Sequence, residues 1–198
     1  RNEGIQMLRR IEKFARISHR SEDKQKDDSW ERFIQFVVMT RGDFSVIEHC
    51  SASVIFRIDR GIMFELTRHR LFSFTAESTR FCRYNDLEFV KPSDLEVTNT
   101  WTDSLAMAET TYKNMLHKKI APQIARSVLP NSLACTIAVT GNLRSWRHLF
   151  TMRCTQESHP DMKAVMIPLL KEFKTRIPLI FNDLEPNLKQ SEALSKPR

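Results

Sequence analysis

From Ala52 to Asp59 the chain alternates, with Val54, Phe56 and Ile58 set against Ile55, Arg57 and Asp59. Period-two alternation marks a strand with one buried face. One such strand cannot stand alone in water, so it requires a strand partner and a second layer. The flanking segments supply that layer, because they follow the helical period. Ile5, Leu8, Ile11 and Ala15 form the apolar face of a first helix. Ser29 is placed to cap a second, with Trp30, Phe33, Ile34, Val37 and Val38 as its buried stripe. The charged stretch between them, Ser21 to Asp28, reads as a solvated loop.

Downstream, Gly61 opens a short helix ending near His69, and Leu71 to Tyr84 reads as an irregular loop of weak periodicity. Leu87 to Val90 is a candidate strand halted by Pro92. Helical spacing returns at Leu105, Ala108, Tyr112 and Met115, and Pro122 sits in the first turn of a further short helix. Ala134 to Thr140 reads as a buried strand, followed by helices over Asn142 to Arg153 and Asp161 to Arg176. The expected class is α+β, with helices packed around a small, mostly antiparallel sheet. One domain is expected over residues 1–183, and 184–198 as a polar tail, loose from Glu192 to Arg198.

Composition narrows the function. Only four glycines occur, and neither GxGxxG nor GxxxxGK[ST] is present, which argues against the glycine-rich phosphate loops. Cys50, Cys82, Cys135 and Cys154 are scattered without metal-ligand spacing, so buried thiols and no metal are expected. No apolar run is long enough to cross a bilayer, and Arg1 to Arg16 is amphipathic without the apolar core of a secretory signal. The expected compartment is the cytoplasm, with no membrane partner. A formal net charge of +7 favours anionic partners, namely nucleic acid, nucleotides or phosphorylated cofactors.

The densest cationic cluster is Arg68-His69-Arg70, followed by Ser78, Arg80 and Arg83. A guanidinium fork pairs with phosphate through two hydrogen bonds, a geometry lysine cannot copy. By composition alone such a cluster is a solvated basic surface; its spacing says more. Arg68-His69-Arg70, seven residues and then Ser78 reproduces the RHR-x7-S signature of flavin-dependent thymidylate synthases, and the wider stretch FELTRHRLFSFTAESTRFCRY resembles that family almost throughout. Upstream, Ser45-Val46-Ile47-Glu48-His49 resembles its S-x-x-E-H element. Downstream, Ala125 to Pro130 is similar to AR-x-x-LP, and Asn142 to Arg153 is similar to N-x-R-x-x-x-H-F-x-x-x-R.

The resemblance implies FAD as cofactor, with Ser45, Glu48, Arg68, His69, Arg70, Asn142, Arg144 and His148 around it. It implies that Glu65, Glu77, Ser78, Thr79, Arg80, Arg126 and Arg153 bind a pyrimidine nucleotide, dUMP, with Ser78 and Arg153 catalytic. An arginine beside the uracil carbonyls would stabilise charge on the ring as its carbon 5 becomes nucleophilic. The implied reaction moves a one-carbon unit from methylenetetrahydrofolate to dUMP, giving dTMP, with NADPH as reductant and no cysteine nucleophile. Hydride chemistry belongs to the flavin, and orientation and electrostatics to the protein. The implied assembly is a homotetramer whose subunits share each site.

Three positions depart from the family. Asp43 stands where a histidine is common, and Thr75 and Ala76 stand where the loop usually reads Asn-Gln or Asn-Glu. They leave open a related flavin enzyme acting on another pyrimidine nucleotide, by methylation or hydroxymethylation, or a relative that binds without turnover. From a different class, the arginine–aromatic run Arg80-Phe81-Cys82-Arg83-Tyr84 would suit a basic RNA or single-stranded-DNA module. The family's spacings argue against that reading. His117, His159, Trp101 and Trp146 are expected to cap or pack, and Lys118-Lys119 to end a helix in solvent.

Overall fold

The computed structural model describes residues 2–188, so the expected loose tail from Glu192 to Arg198 lies outside the described residues. The fold is α+β and rich in helix, built on a three-stranded sheet of order β1-β3-β2. The strands are β1 (Ser51–Asp59), β2 (Ser73–Ala76) and β3 (Ala134–Asn142). The longer helices are α1 (Asn2–Ile17), α4 (Asn99–His117), α6 (Leu143–Arg153) and α7 (Pro160–Arg176); α2 (Ser29–Ile34), α3 (Arg60–Leu66) and α5 (Pro122–Ala125) are short. The chain divides into two compact units, one made of Arg1–Ala52 with Gly141–Arg198 and the other of Ser53–Thr140.

In the first unit, α1 buries Leu8, Ile11 and Ala15 as its periodicity predicts. Gly4 lets α1 pass against the end of α7, since a Cβ there would lie 1.7 Å from the Arg176 carbonyl oxygen. Trp146 and Phe150 of α6, Phe173 of α7 and Phe181 form one aromatic cluster with ring centroids 5.1 to 5.9 Å apart. Such edge and tilted contacts add about 0.5–1.5 kcal/mol per pair to the area they bury. Trp146 is thus a packing residue, and its indole N–H donates to the Ala52 carbonyl at 3.0 Å.

Ser29 does not cap α2: it is the first helical residue, after Asp28. Its hydroxyl is drawn instead to the fully buried Glu12, donating at 2.7 Å to the oxygen that also accepts from Arg16 at 2.7 and 2.9 Å. A buried carboxylate must find such donors or lose its charge, and this requirement overrides the local capping preference. Of the expected stripe Ile34 and Val38 are buried and Trp30, Phe33 and Val37 half-buried, the helix continuing in π turns over Gln35–Thr40. The charged loop is anchored as well: Arg9 donates to the Asp27 carbonyl at 2.7 Å, and Gln25 to the Arg9 carbonyl at 3.0 Å.

In the second unit, Phe56 and Ile58 of β1 face the core while Ile55 and Arg57 are exposed. Asp59 caps α3, its carboxylate accepting from the Ile62 N–H at 2.9 Å. That helix ends at Leu66, earlier than expected. The stretch read as an irregular loop contains a strand: β2 pairs antiparallel with β3, Ser73 opposite Thr140 and Ala76 opposite Ile137. It lies at the sheet edge with no residue fully buried, so its sequence carries no alternation. The strand expected over Leu87 to Val90 shrinks to one bridge, Phe89 opposite Leu133.

Candidate functional site

The motif residues fall into two groups, one in each unit. In the first unit, Ser45 and Glu48 sit on a short 3₁₀ helix, Phe44–His49, and both are exposed. Asn142 caps α6, its side-chain oxygen accepting from the Ser145 N–H at 2.8 Å. The amide oxygen is committed to the helix, so Asn142 also sets where α6 begins and hence where Arg144, His148 and Arg153 project. Arg144 is exposed and pairs with Glu48 at 2.6 Å. His148 is exposed, and Arg153 is half-buried in the last turn of α6.

In the second unit, Arg68 and Arg70 follow α3, exposed, with no hydrogen-bond or ion-pair partner for either guanidinium among the described residues. Glu65 and His69 beside them are half-buried. Two unpaired guanidiniums two residues apart repel one another, an arrangement that an anion relieves. Past β2 the chain turns back on Ser78, whose hydroxyl oxygen accepts the N–H groups of Arg80 and Phe81 at 3.2 and 3.4 Å. Thr79 is buried and accepts from Arg126 at 3.2 Å, while Arg80 donates to Gln123 at 3.2 Å. Arg126, 47 positions further along the chain, is therefore brought to the Ser78-Thr79-Arg80 turn by α5 and the turn after it. Hydroxyls and guanidiniums so grouped suit a phosphate.

Glu77 has a different environment. Its carboxylate accepts from Arg57 at 3.1 Å and from the Thr136 N–H at 3.1 Å, and it holds the Tyr84 hydroxyl. Burial first and this carboxylate second push the Tyr84 phenol well above its ordinary value, so it stays a neutral donor. Arg57 also donates to Glu88 at 2.6 Å, pinning both ends of the 77–88 loop to the sheet. Sequence reasoning gave Arg57 no role, although an arginine in the middle of a strand was visible there.

Asp43 precedes the 3₁₀ helix and pairs with Arg41 at 3.3 Å. Thr75 and Ala76 lie exposed in β2. Burial raises the thiol pKa of Cys50, Cys135 and Cys154, the last to about 11, which keeps these sulfurs protonated near neutrality. Cys82 is exposed. Among the described residues no cluster of His, Cys, Asp and Glu could hold a metal ion.

Residues 5–179 match the family model described as thymidylate synthase complementing protein. The chain belongs to this family. Its relatives include flavin-dependent thymidylate synthases from Mycolicibacterium gilvum, 35% identical over 73% of this chain and 66% of that protein, and from Corynebacterium efficiens, 32% identical over 75% and 67%. The chain thus spans about two thirds of the length of these relatives. Among solved structures, thymidylate synthase X of Helicobacter pylori, solved with FAD and dUMP, shares the fold at a TM-score of 0.74. It is 20% identical, over 89% of this chain and 93% of that one. The UMP/dUMP methylase PolB of Streptomyces cacaoi, solved with 5-Br dUMP, gives a TM-score of 0.72 and 26% identity over 88% of both chains.

Proposed function

We propose that this family member is a flavin-dependent thymidylate synthase, transferring a one-carbon unit from methylenetetrahydrofolate to C5 of dUMP with FAD as cofactor and NADPH as reductant. One observation carries the reading most directly. The family's arginines are kept available for anions: Arg68 and Arg70 have no partner among the described residues, and Arg126 and Arg80 meet Thr79 and Gln123 on one small surface beside Ser78. In this reading Ser45, Glu48, Arg68, His69, Arg70, Asn142, Arg144 and His148 hold FAD. Glu65, Ser78, Thr79, Arg80 and Arg126 hold the nucleotide, and Glu77 shapes their loop. When bound, the flavin supplies the hydride chemistry that side chains lack. Arg153 polarises the uracil ring, and Ser78 is the second catalytic residue. The working species is a homotetramer in the cytoplasm.

A second reading keeps the same site and changes the nucleotide. It is favoured by the similarity to a UMP/dUMP methylase and by Ala76, whose methyl group cannot make the side-chain hydrogen bond of the family's usual residue. The test is direct. Purified protein should take up FAD, whose absorbance bleaches on reduction, and oxidise NADPH only when a pyrimidine nucleotide is present. Mass spectrometry of the product from dUMP and from UMP separates the two readings. A colourless protein that ignores FAD and shifts RNA in a salt-dependent way would refute both.

A further inference from the structure

Arg147 stands on α6 between two residues assigned to the flavin, Arg144 and His148, yet its environment is different. The Arg144 side chain is 56% exposed and that of Arg147 only 11%. Its guanidinium is consumed inside the first unit. It grips Asp183 with both nitrogens, at 2.7 and 2.6 Å, and donates to the Ile180 carbonyl. Its guanidinium carbon lies over the Phe44 ring, 4.7 Å from the ring centre. A two-point grip on a carboxylate uses arginine's planar fork, which lysine lacks, and the ring adds a cation–π contact.

Phe44 begins the 3₁₀ helix that presents Ser45 and Glu48. The hydrogen bonds that flank that helix are long, the Val46 and Cys50 N–H groups reaching their carbonyls at 3.4 Å. The helix is held from outside by α6, besides the Phe14 ring of α1 against His49, with ring centroids 5.1 Å apart. The Leu143 N–H donates to the Cys50 carbonyl at 2.9 Å at one end, Arg144 meets Glu48 at 2.6 Å, and Arg147 covers Phe44 at the other end. Of these, only the Phe44 contact depends on a group fixed by a distant segment, residues 180–183. The hydrogen bond from Arg147 holds the Asp183 carboxyl below its ordinary range, so the grip is ionic at neutral pH.

We infer that Asp183, Arg147 and Phe44 form a clamp by which the segment after α7 positions Ser45 and Glu48 for the cofactor. Asp183 and Phe44 are positioning residues; the inference rests on the flavin reading above. Replacing Arg147 would strand a carboxylate and risk the fold, so the test uses D183N, D183E, F44L and F44Y in the full chain. Hydrogen exchange of the 44–49 amides in the protein without FAD should quicken in D183N and F44L. FAD dissociation constants, from quenching of flavin fluorescence, should rise about tenfold in both. D183E and F44Y should recover most of the affinity, and turnover at saturating FAD should return to the wild-type rate in all four. Unchanged exchange at 44–49 in D183N overturns the clamp. Faster exchange with unchanged FAD affinity also overturns it, because the contact would then serve the fold alone. Wild-type protein that takes up no FAD removes the functional reading and this inference together, whereas normal FAD binding by D183N beside normal wild type removes the inference only.

Discussion

Arg144→Gln separates a structural from a functional arginine more cleanly than any other single change in this protein. Arg144 meets Glu48 at 2.6 Å, but both side chains face solvent, at 56% and 44% exposure. Water screens such a pair and ordering two long side chains costs entropy, so it contributes only about 0.2–1 kcal/mol to folding. For a family member of this size that shifts the melting temperature by no more than about 4 °C. A guanidinium that donates to a flavin phosphate or ring oxygen makes a charge-assisted hydrogen bond, which contributes about 1.5–3 kcal/mol. That corresponds to a loss of roughly tenfold to 150-fold in FAD affinity. The expected result is therefore a nearly normal melt of the FAD-free protein with a large rise in the FAD dissociation constant, both read on one preparation. A dissociation constant within twofold of wild type, with the melt unchanged, would show that Arg144 serves only the surface pair. The flavin assignment around the 3₁₀ helix would then fail.

Three further outcomes are expected. Arg153→Ala should lower turnover about 10²–10³-fold with FAD retention nearly intact, as for loss of one electrostatic contact to the transition state; full activity would remove Arg153 as the ring-polarising group. Gly4→Ala should reverse the usual gain from replacing a helical glycine, because its Cβ would sit 1.7 Å from the Arg176 carbonyl oxygen. The overpacking costs about 1–3 kcal/mol, visible as a lower denaturation midpoint; a rise would show that the two helices separate freely. For Asp183 the folded-state pKa is depressed from 3.8, so its contribution is complete above that value and is lost as pH falls through the lower folded one. Urea melts of wild type and D183N should differ at neutral pH and converge in acid, and a gap constant down to strongly acid pH would contradict the ion pair.

What the sequence determined by itself was local or spelled in motifs. Helix α1, strand β1, strand β3 and the helices α6 and α7 follow from periodicity and capping, which depend on residues within a turn or two of one another. The family's arginines, Ser78 and the S-x-x-E-H element were legible for another reason: their residue types and spacings repeat the family's motifs. Tertiary structure decided the rest. Strand β2 exists because β3 offers an edge at Ser73 to Ala76, and an exposed edge strand has no apolar pattern to announce it. Ser29 left its capping role because Glu12, a carboxylate 17 positions earlier in the chain, is buried beside it and demands a donor. Arg57 and Arg147 looked like any other arginines until the chain brought Glu77, Glu88, Phe44 and Asp183 to them across 20, 31, 103 and 36 positions. Periodicity reports which face of an element is buried; which charges then meet depends on which faces the whole chain packs together.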